Sequence, residues 1–430
     1  MVSSSNLDII AKATGFKQRK STISPQAFLD TVFFTNAQSS PSLSEYSIDF
    51  TKSTGCIVSK QAIDKRFNER TKDMLSLLLQ KVISQQIKRE VINIEEANLF
   101  SEIRIMDSSE FVLSKKAADR FPGYGGVGRE AIAQIQFEYE LLNGKVTELS
   151  IGSARDSDSI EGMKNIDTIP ENALLIRDLG YFSPKNFKEI SKRGISFISR
   201  GKSQWNFYIK ENDRLVLLST KDIIHRLKKQ RGKYLDIEVI TGSKVLTPVR
   251  LIANLLTKEQ TKNRIKRKTA NRGKLGKEAM ESSCLNLFVT NIQRDVLSPE
   301  TVYRLYTLRW QVELIFKTWK SILKVNNIHS MNPIRLECII LIKLLWIMLN
   351  WSILKLLQAE TQRDISLHKL THTMMSRSKI LKLSILRDYL RLYNWLLEMM
   401  DISILHHQKE YKRNCDKMPD IISCTYIKTA

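Results

Sequence analysis

The sequence predicts an α/β protein: a mixed-sheet core carrying a β-rich basic insertion, flanked by helical N-terminal and C-terminal regions. Three observations predict it. Short apolar segments bounded by turn residues cluster between about residues 100 and 292. Helical periodicity and helix-start dipeptides dominate on either side of them. Among the β-like segments lie the two densest basic runs of a chain whose formal net charge is +23 over 430 residues. That length accommodates two or three domains with a buried core. Hydrophobic residues at 42% and charged residues at 26% are globular values and exclude a disordered chain.

The charge is the first functional clue. Such an excess of Lys and Arg favours a polyanionic partner, because each neutralised phosphate releases counterions. Solubility alone would need far less. The five cysteines, Cys56, Cys284, Cys338, Cys415 and Cys424, have neither metal-ligand spacing nor a disulfide pattern, so a reducing, cytoplasmic setting is expected. The start, MVSSSNLDIIAKATGF, lacks the apolar core of a signal peptide. The run CIILIKLLWIMLNW at 338–351 is interrupted by Lys343 and is shorter than the ~20 residues a membrane span needs. It reads as a buried helix, and no membrane partner is expected.

Region 1–98 reads as helical. Ser24-Pro25 supplies a cap and a first helical residue, PSLSEYSIDF forms a second helix that breaks at Gly55, and Ser59 opens a long third one. The third carries Lys60, Gln61, Lys65, Arg66, Asn68 and Arg70 on early exposed positions. A turn followed by a helix rich in basic and amide side chains is the layout of a DNA-reading helix pair. A plain bundle with a solvated face explains it equally well.

Residues 99–325 read as the core. IRIM at 103–106 is a strand running into Asp107. FPGYGGVG at 121–128 lacks the Lys-Ser/Thr pair of a P-loop and reads as a flexible connection. Alternation through Ile135, Phe137 and Tyr139, then Asn143-Gly144, predicts a hairpin. ALLIR at 173–177 is a buried strand ending at Asp178. A helix from Ser183-Pro184 closes at Gly194, and ISFIS at 195–199 is the next strand. A mixed sheet with helices on its faces accounts for this order. Residues 200–284 interrupt it with the β-like WNFYIK, RLVLLS and LDIEVIT and the basic runs 225–233 and 258–277. The second run has nine Lys or Arg against one Glu. Such runs are usually solvated or mobile; the total charge favours contact with a DNA backbone. LNLFVTNI at 285–292 resumes the core. Region 326–430 is helical, with Trp346, Trp351 and Trp395 among buried aliphatics.

Ser298-Pro299 starts a helix containing YTLRWQVELIFKTWK at 306–320. At about 100° per residue, Leu308, Val312, Ile315, Phe316, Trp319 and Leu323 share one apolar arc. Tyr306, Arg309, Trp310, Glu313, Lys317 and Lys320 share the opposite arc. Alone, this face is as readily a solvated stripe with i,i+4 pairs worth ~0.3–0.5 kcal/mol each. Asp107 and Asp178, each ending an apolar strand, change the reading. Three converging carboxylates repel unless cations lie between them. Hard Mg²⁺ ions suit oxygen ligands, and a pair about 3.5–4 Å apart supports phosphodiester cleavage. Arg and Lys would hold phosphates, and aromatics could stack on a base.

The spacing Tyr306-x2-Arg309-x3-Glu313-x6-Lys320 resembles the Y-R-E-K signature of transposases of insertion-sequence family four, in the DDE superfamily. IRIMDSSEF and IRDLGYF resemble that family's first and second Asp motifs. The resemblance runs from about residue 20 to about residue 400. It implies an RNase H-like core with catalytic and metal-binding residues Asp107, Asp178 and Glu313, and phosphate contacts from Tyr306, Arg309 and Lys320. It implies two Mg²⁺ ions, which Mn²⁺ may replace, and cut-and-paste transposition of double-stranded DNA. Region 1–98 would bind the terminal inverted repeats. A homodimer would hold two ends in a synaptic complex before joining them to target DNA, with region 326–430 a candidate for dimerisation. Trp310 as a base-stacking residue and Lys317 as a further DNA contact come from the helical wheel.

Other polar residues weigh less. His368 and His372 have metal spacing but no acidic helper, His406-His407 reads as solvated, and Asp156 and Asp158 rank below Asp178 as the second acid. A DNA-binding regulator explains the charge but not the three acids. A nuclease on the same core would cut without joining.

Overall fold

The computed structural model describes residues 4–36, 41–84, 86, 98–201, 205–230, 232–322, 332–378, 381–382 and 389–408, without the side chains of 271–272, 310–311, 314, 322 and 389. Leu323 lies outside these. The chain divides into two compact units. A helical one contains Met1–Asn93, Ser108–Arg155 and Gln311–Ala430; a sheet-rich one contains Ile94–Asp107 and Asp156–Trp310.

The strands are β1 (Ile103–Val112), β2 (Ile132–Glu140), β3 (Lys145–Ser153), β4 (Leu174–Arg177), β5 (Ser196–Arg200), β6 (Phe207–Glu211), β7 (Arg214–Leu217), β8 (Leu235–Thr241), β9 (Thr247–Leu255) and β10 (Leu285–Thr290). They form one mixed sheet in the order β3-β2-β1-β4-β5-β10-β9-β8-β6-β7. In the sheet-rich unit β1, β4 and β5 run parallel, and β10 returns antiparallel to β5. Every residue of β4 is buried, as expected of a central parallel strand covered on both faces. Its core joins Leu175, Phe197, Leu251 and Val289 from the strands to Phe187 and Ile190 of α7 (Pro184–Lys192). Phe187 stacks on Phe197 at 4.2 Å. α7 starts where expected, with Ser183 accepting from the Asn186 amide.

The block expected as an insertion extends this sheet. β9 pairs along the whole of β10, and β8 along β9. The basic runs, for which the sequence favours contact with a DNA backbone over a merely solvated or mobile segment, lie largely on helices. The first falls largely on α8 (Thr220–Lys229) and the second on α9 (Lys258–Arg272). Capping boxes at Ser219/Asp222 and Thr257/Gln260 explain the helices, because each satisfies two otherwise unpaired backbone donors.

In the helical unit, α1 (Ser4–Ala13), α2 (Pro25–Thr35) and α3 (Leu43–Thr54) precede a break at Gly55. The long helix expected from Ser59 is instead two. α4 (Lys60–Asp64) stops, and Asn68 restarts the chain as α5 (Glu69–Ser84) by accepting the Thr71 amide at 3.2 Å. An Asn side chain competes with continuous helix in this way.

The apolar run at 338–351 lies within α13 (Pro333–Thr361), a helix long and apolar enough to cross a membrane by length and composition. Of its most apolar window, 83% is buried inside the protein. Lys343, which interrupts the run, is 1% exposed. Its Nζ donates to the Asn36 carbonyl at the carboxyl end of α2, where a cation meets the negative end of the helix dipole. Next to it, Trp346 stacks on Phe33 at 4.8 Å and donates its indole N–H to the Phe33 carbonyl. Phe137 and Tyr139 of β2 meet Trp351 edge-on. α14 (Leu367–Ser376) and α15 (Tyr389–His406) complete the unit.

His407 is not solvated as expected; it is 3% exposed. Its ring nitrogens face Thr373 and Ser403 hydroxyls, each at 2.9 Å, and its carbonyl accepts the Ser366 amide. Burial, reinforced by nearby cations, pushes its pKa down to about 4.

Two outcomes follow for stability. Trp346→Ala removes both the stack and the bond to α2, and urea unfolding should register a loss of about 3–5 kcal/mol. His407 binds its proton more weakly folded than unfolded. Its contribution is therefore full above the unfolded value of ~6.5 and declines as pH falls from there toward about 4. Urea midpoints of His407→Gln should vary less between pH 7 and pH 5 than those of the native chain.

Candidate active site

The parallel register of β1 and β4 ends with Met106 opposite Arg177. Asp107 continues β1 and Asp178 is the first residue after β4, so both acids directly follow this last backbone pair. Neighbouring strands lie about 4.8 Å apart. The carboxyl ends of parallel strands are where open α/β sheets place ligands. β1 itself continues to Val112, so Asp107 marks the end of the parallel pairing and not, as expected, the end of the strand.

Two residues following α11 (Pro299–Thr307) or within it bind these acids. Arg309 pairs through Nη1 with Asp107 Oδ2, both side chains about 15% exposed. Tyr306 donates its hydroxyl to Asp178 Oδ1 at 3.1 Å. The helix is interrupted here: α11 ends at Thr307 and α12 (Trp310–Ile322) begins three residues later. Tyr306 consequently leaves the outward arc that the wheel gave it. It is 7% exposed, edge-on to Phe288 of β10 at 5.2 Å, with the Arg309 guanidinium 5.8 Å from its ring centre. Burial first, and the Asp178 charge second, raise its pKa well above the ordinary tyrosine value. The phenol therefore remains a donor throughout the neutral range.

The expected apolar arc is confirmed at Leu308, Val312, Ile315, Phe316 and Trp319, all buried. In the helical unit, Phe316 and Trp319 of α12 pack edge-on against Phe137 of β2. This seats α12 and with it Glu313 and Lys320, both half-buried, and Lys317, which is exposed. Lys320 donates to the Glu110 carbonyl at 2.9 Å, and burial lowers its pKa. Trp310's side chain lies outside those described. Among the described residues no group of three His, Cys, Asp or Glu side chains is gathered as a metal site, His368 and His372 included.

One contact near Asp178 was not legible in the sequence. A turn follows Asp178, closed by the Tyr181 amide on the Asp178 carbonyl. Asp158, ranked in the sequence only as a rival acid, opens the short α6 (Asp158–Glu161) and lies against this turn. A Cβ at Gly180 would sit 2.7 Å from Asp158 Oδ2. Glycine is required there for close approach, and nothing in the local pattern of SARDSDS signals the partner.

The profile of the transposase DDE domain family matches residues 98–349, more than half of the chain. The protein is a DDE transposase of an insertion-sequence family. It is 28% identical to the transposase of insertion sequence IS231B from Bacillus thuringiensis subsp. berliner over 98% of this chain and 92% of that protein. It is 32% identical to the IS231F transposase from Bacillus thuringiensis subsp. israelensis over 74% of this chain and 71% of that one. It is 30% identical to the IS1151 transposase of Clostridium perfringens over 80% and 76%. The transposase is thus an enzyme that cleaves DNA and transfers strands.

The fit at Gly180 gives a test by double-mutant cycle. Gly180→Ala should cost about 1–2 kcal/mol in urea unfolding, since the Asp158 carboxylate must swing away. In an Asp158→Ala background the same change should cost about 0.5–1 kcal/mol less, because the two sites are in contact.

Proposed function

We propose that the transposase acts by cut-and-paste through Asp107, Asp178 and Glu313, on an RNase H-like core, as a member of insertion-sequence family four. The observation that supports this reading is that Asp107 and Asp178 each follow the last parallel β1–β4 pair, Met106 and Arg177, and that each is bound by a residue of the Tyr306–Lys320 segment. Glu313, four residues after Arg309, supplies the third acid. Carboxylate oxygens are the donor type that a hard divalent ion takes, so the residues fit Mg²⁺, or Mn²⁺ in its place. When bound, a pair of such ions would activate water and stabilise the leaving oxygen.

The protein's own groups do the rest. Arg309, Tyr306 and Lys320 hold phosphate oxygens of the reacting strand, Arg309 by a planar fork and Lys320 as a point charge. Tyr306, kept protonated, donates and never carries charge into a site crowded with anions. Water attacks the phosphorus at the element's end, the bond to the 3′-oxygen breaks, and that oxygen leaves as a hydroxyl. The hydroxyl then attacks a target phosphodiester and displaces a second 3′-oxygen. Lys317 adds a phosphate contact, and Trp310 is the base-stacking residue of this reading.

Region 1–98 reads the terminal inverted repeats, with Lys60, Gln61, Lys65 and Arg70 exposed on and beside α4 and α5. Exposed Lys258, Lys262, Lys266 and Arg267 on α9 favour contact with backbone phosphates. Two copies pair two ends in a synaptic complex.

The test uses labelled duplex ends of the element with Mg²⁺ and an unlabelled target. The native protein should cut the ends and join them. Asp178→Ala should bind ends within about threefold of native affinity and lower cutting by about 10²–10³-fold or more. Lys320→Ala should lower it by about tenfold, the loss of one charge-assisted contact. Undiminished cutting by the Asp178 variant would refute the assignment. Cutting without joining would mark a nuclease, and binding without cutting a regulator.

A further inference from the structure

The connection between β1 and β2, expected to be flexible, is a pinned prong. Its neck is closed by Gly123 donating to the Glu130 carbonyl at 2.8 Å and Gly125 to the Arg129 carbonyl at 3.3 Å. A Cβ on Gly123 would lie 2.1 Å from the Arg129 oxygen, so only glycine lets the two limbs approach this closely. From β3 and just beyond it, Ser153 Oγ donates to the Pro122 carbonyl and Arg155 Nε to that of Gly123, both at 2.8 Å. The base of the prong is therefore fixed in the helical unit.

The tip carries almost no side chains. Gly125, Gly126 and Gly128 surround two larger residues, Tyr124 at 54% exposure and Val127 at 103%. A fully exposed Val on a narrow, anchored projection has no packing role in the folded chain. The prong is also tied, through Glu110, to Lys320, the proposed phosphate contact. Tyr124 donates its hydroxyl to the Glu110 carboxylate, and the carbonyl of the same Glu110 accepts from Lys320. Exposed Lys115, Lys116 and Arg129 flank the base of the prong. Cations around an apolar projection suit a polyanion whose interior is apolar.

We propose that this prong is a DNA wedge: Val127, backed by Tyr124, inserts between base pairs of the duplex whose phosphates Lys320 holds. Proteins that kink DNA insert apolar side chains in this way, exchanging base stacking for a bent duplex. Opening a step loosens the end duplex that Lys320 is proposed to hold. The inference rests on the proposed function, because it takes the end duplex as the ligand of Lys320.

The experiment uses the full-length protein and a duplex bearing the element's terminal repeat. 2-Aminopurine is placed at successive positions near the scissile phosphate, with Ca²⁺ replacing Mg²⁺ to hold the DNA uncut. Fluorescence should rise severalfold at one step with the native protein and stay at the free-duplex level with Val127→Ser. That variant should bind the duplex within about threefold of native affinity, since the phosphate contacts are untouched. With Mg²⁺ it should cut a fully paired end about tenfold or more slowly. A mismatch at the affected step should restore the rate, which a merely structural defect would not permit. A native protein that cuts and joins ends with no fluorescence rise at any step, or a Val127→Ser protein that unstacks as well as the native one, would overturn the wedge and leave the proposed function standing. Failure of the native protein to bind or cut these ends would overturn both.

Discussion

The site depends on the register between β1 and β4. With Met106 opposite Arg177, Asp107 and Asp178 each follow directly on the last paired residues of neighbouring strands, which brings two carboxylates to the same edge of the pairing. Two unit charges of like sign at roughly 5 Å repel by about 3 kcal/mol at an effective dielectric near 20. A fold accepts that repulsion only if positive charge or hydrogen-bond donors are supplied. Here the Arg309 guanidinium answers Asp107 and the Tyr306 hydroxyl answers Asp178. The strands exist because Ile103, Ile105, Leu174 and Ile176 are fully buried, so the energy of apolar burial holds the acids in place.

The same logic of polar groups fixed by an apolar frame recurs in the helical unit. Lys343 is buried within the most apolar helix of the described chain, yet it meets a helix carboxyl end where its charge is favourable. A buried ammonium needs such an acceptor, and this one makes the seat of α2 on α13 specific. Trp346 and Phe33 supply the contact area that a lone polar bond lacks. Around Lys320, burial lowers the ammonium pKa while the Glu110 carbonyl orients it. A Lys held this way gains most from a phosphate, because the anion restores what desolvation took away.

Belonging to an insertion-sequence transposase family ties these features to DNA. The chemistry then asks for a rigid centre and for surfaces that meet a long polyanion. The rigid part comes from the central strands. In the proposed function the surfaces come from helices such as α9, whose capping box orders a strongly basic segment. The prong at 121–130 combines both, a pinned neck and a bare tip.

Much was legible in the residues alone. Alternation placed the β2–β3 hairpin, Ser-Pro pairs placed the starts of α2, α7 and α11, and the apolar arc around Glu313 held at its five described residues, because these signals are local and depend only on backbone period and capping. The sequence also marked Asp107, Asp178, Glu313, Tyr306, Arg309 and Lys320 as a set, of which the structure joins Arg309 to Asp107 and Tyr306 to Asp178, their catalytic roles being part of the proposal. What it could not supply was whatever depends on partners far along the chain. It continued the helices through Asn68 and Leu308, where a side-chain cap and a two-residue break redirect them. It set Tyr306 on the outward arc, although Phe288 and Asp178 draw it inward. It called His407 solvated, because the hydroxyls of Thr373 and Ser403 that satisfy it come from packing. Periodicity determines which way a side chain leaves its own helix or strand; only the meeting of elements decides whether water, a phenyl ring or a carboxylate is waiting there.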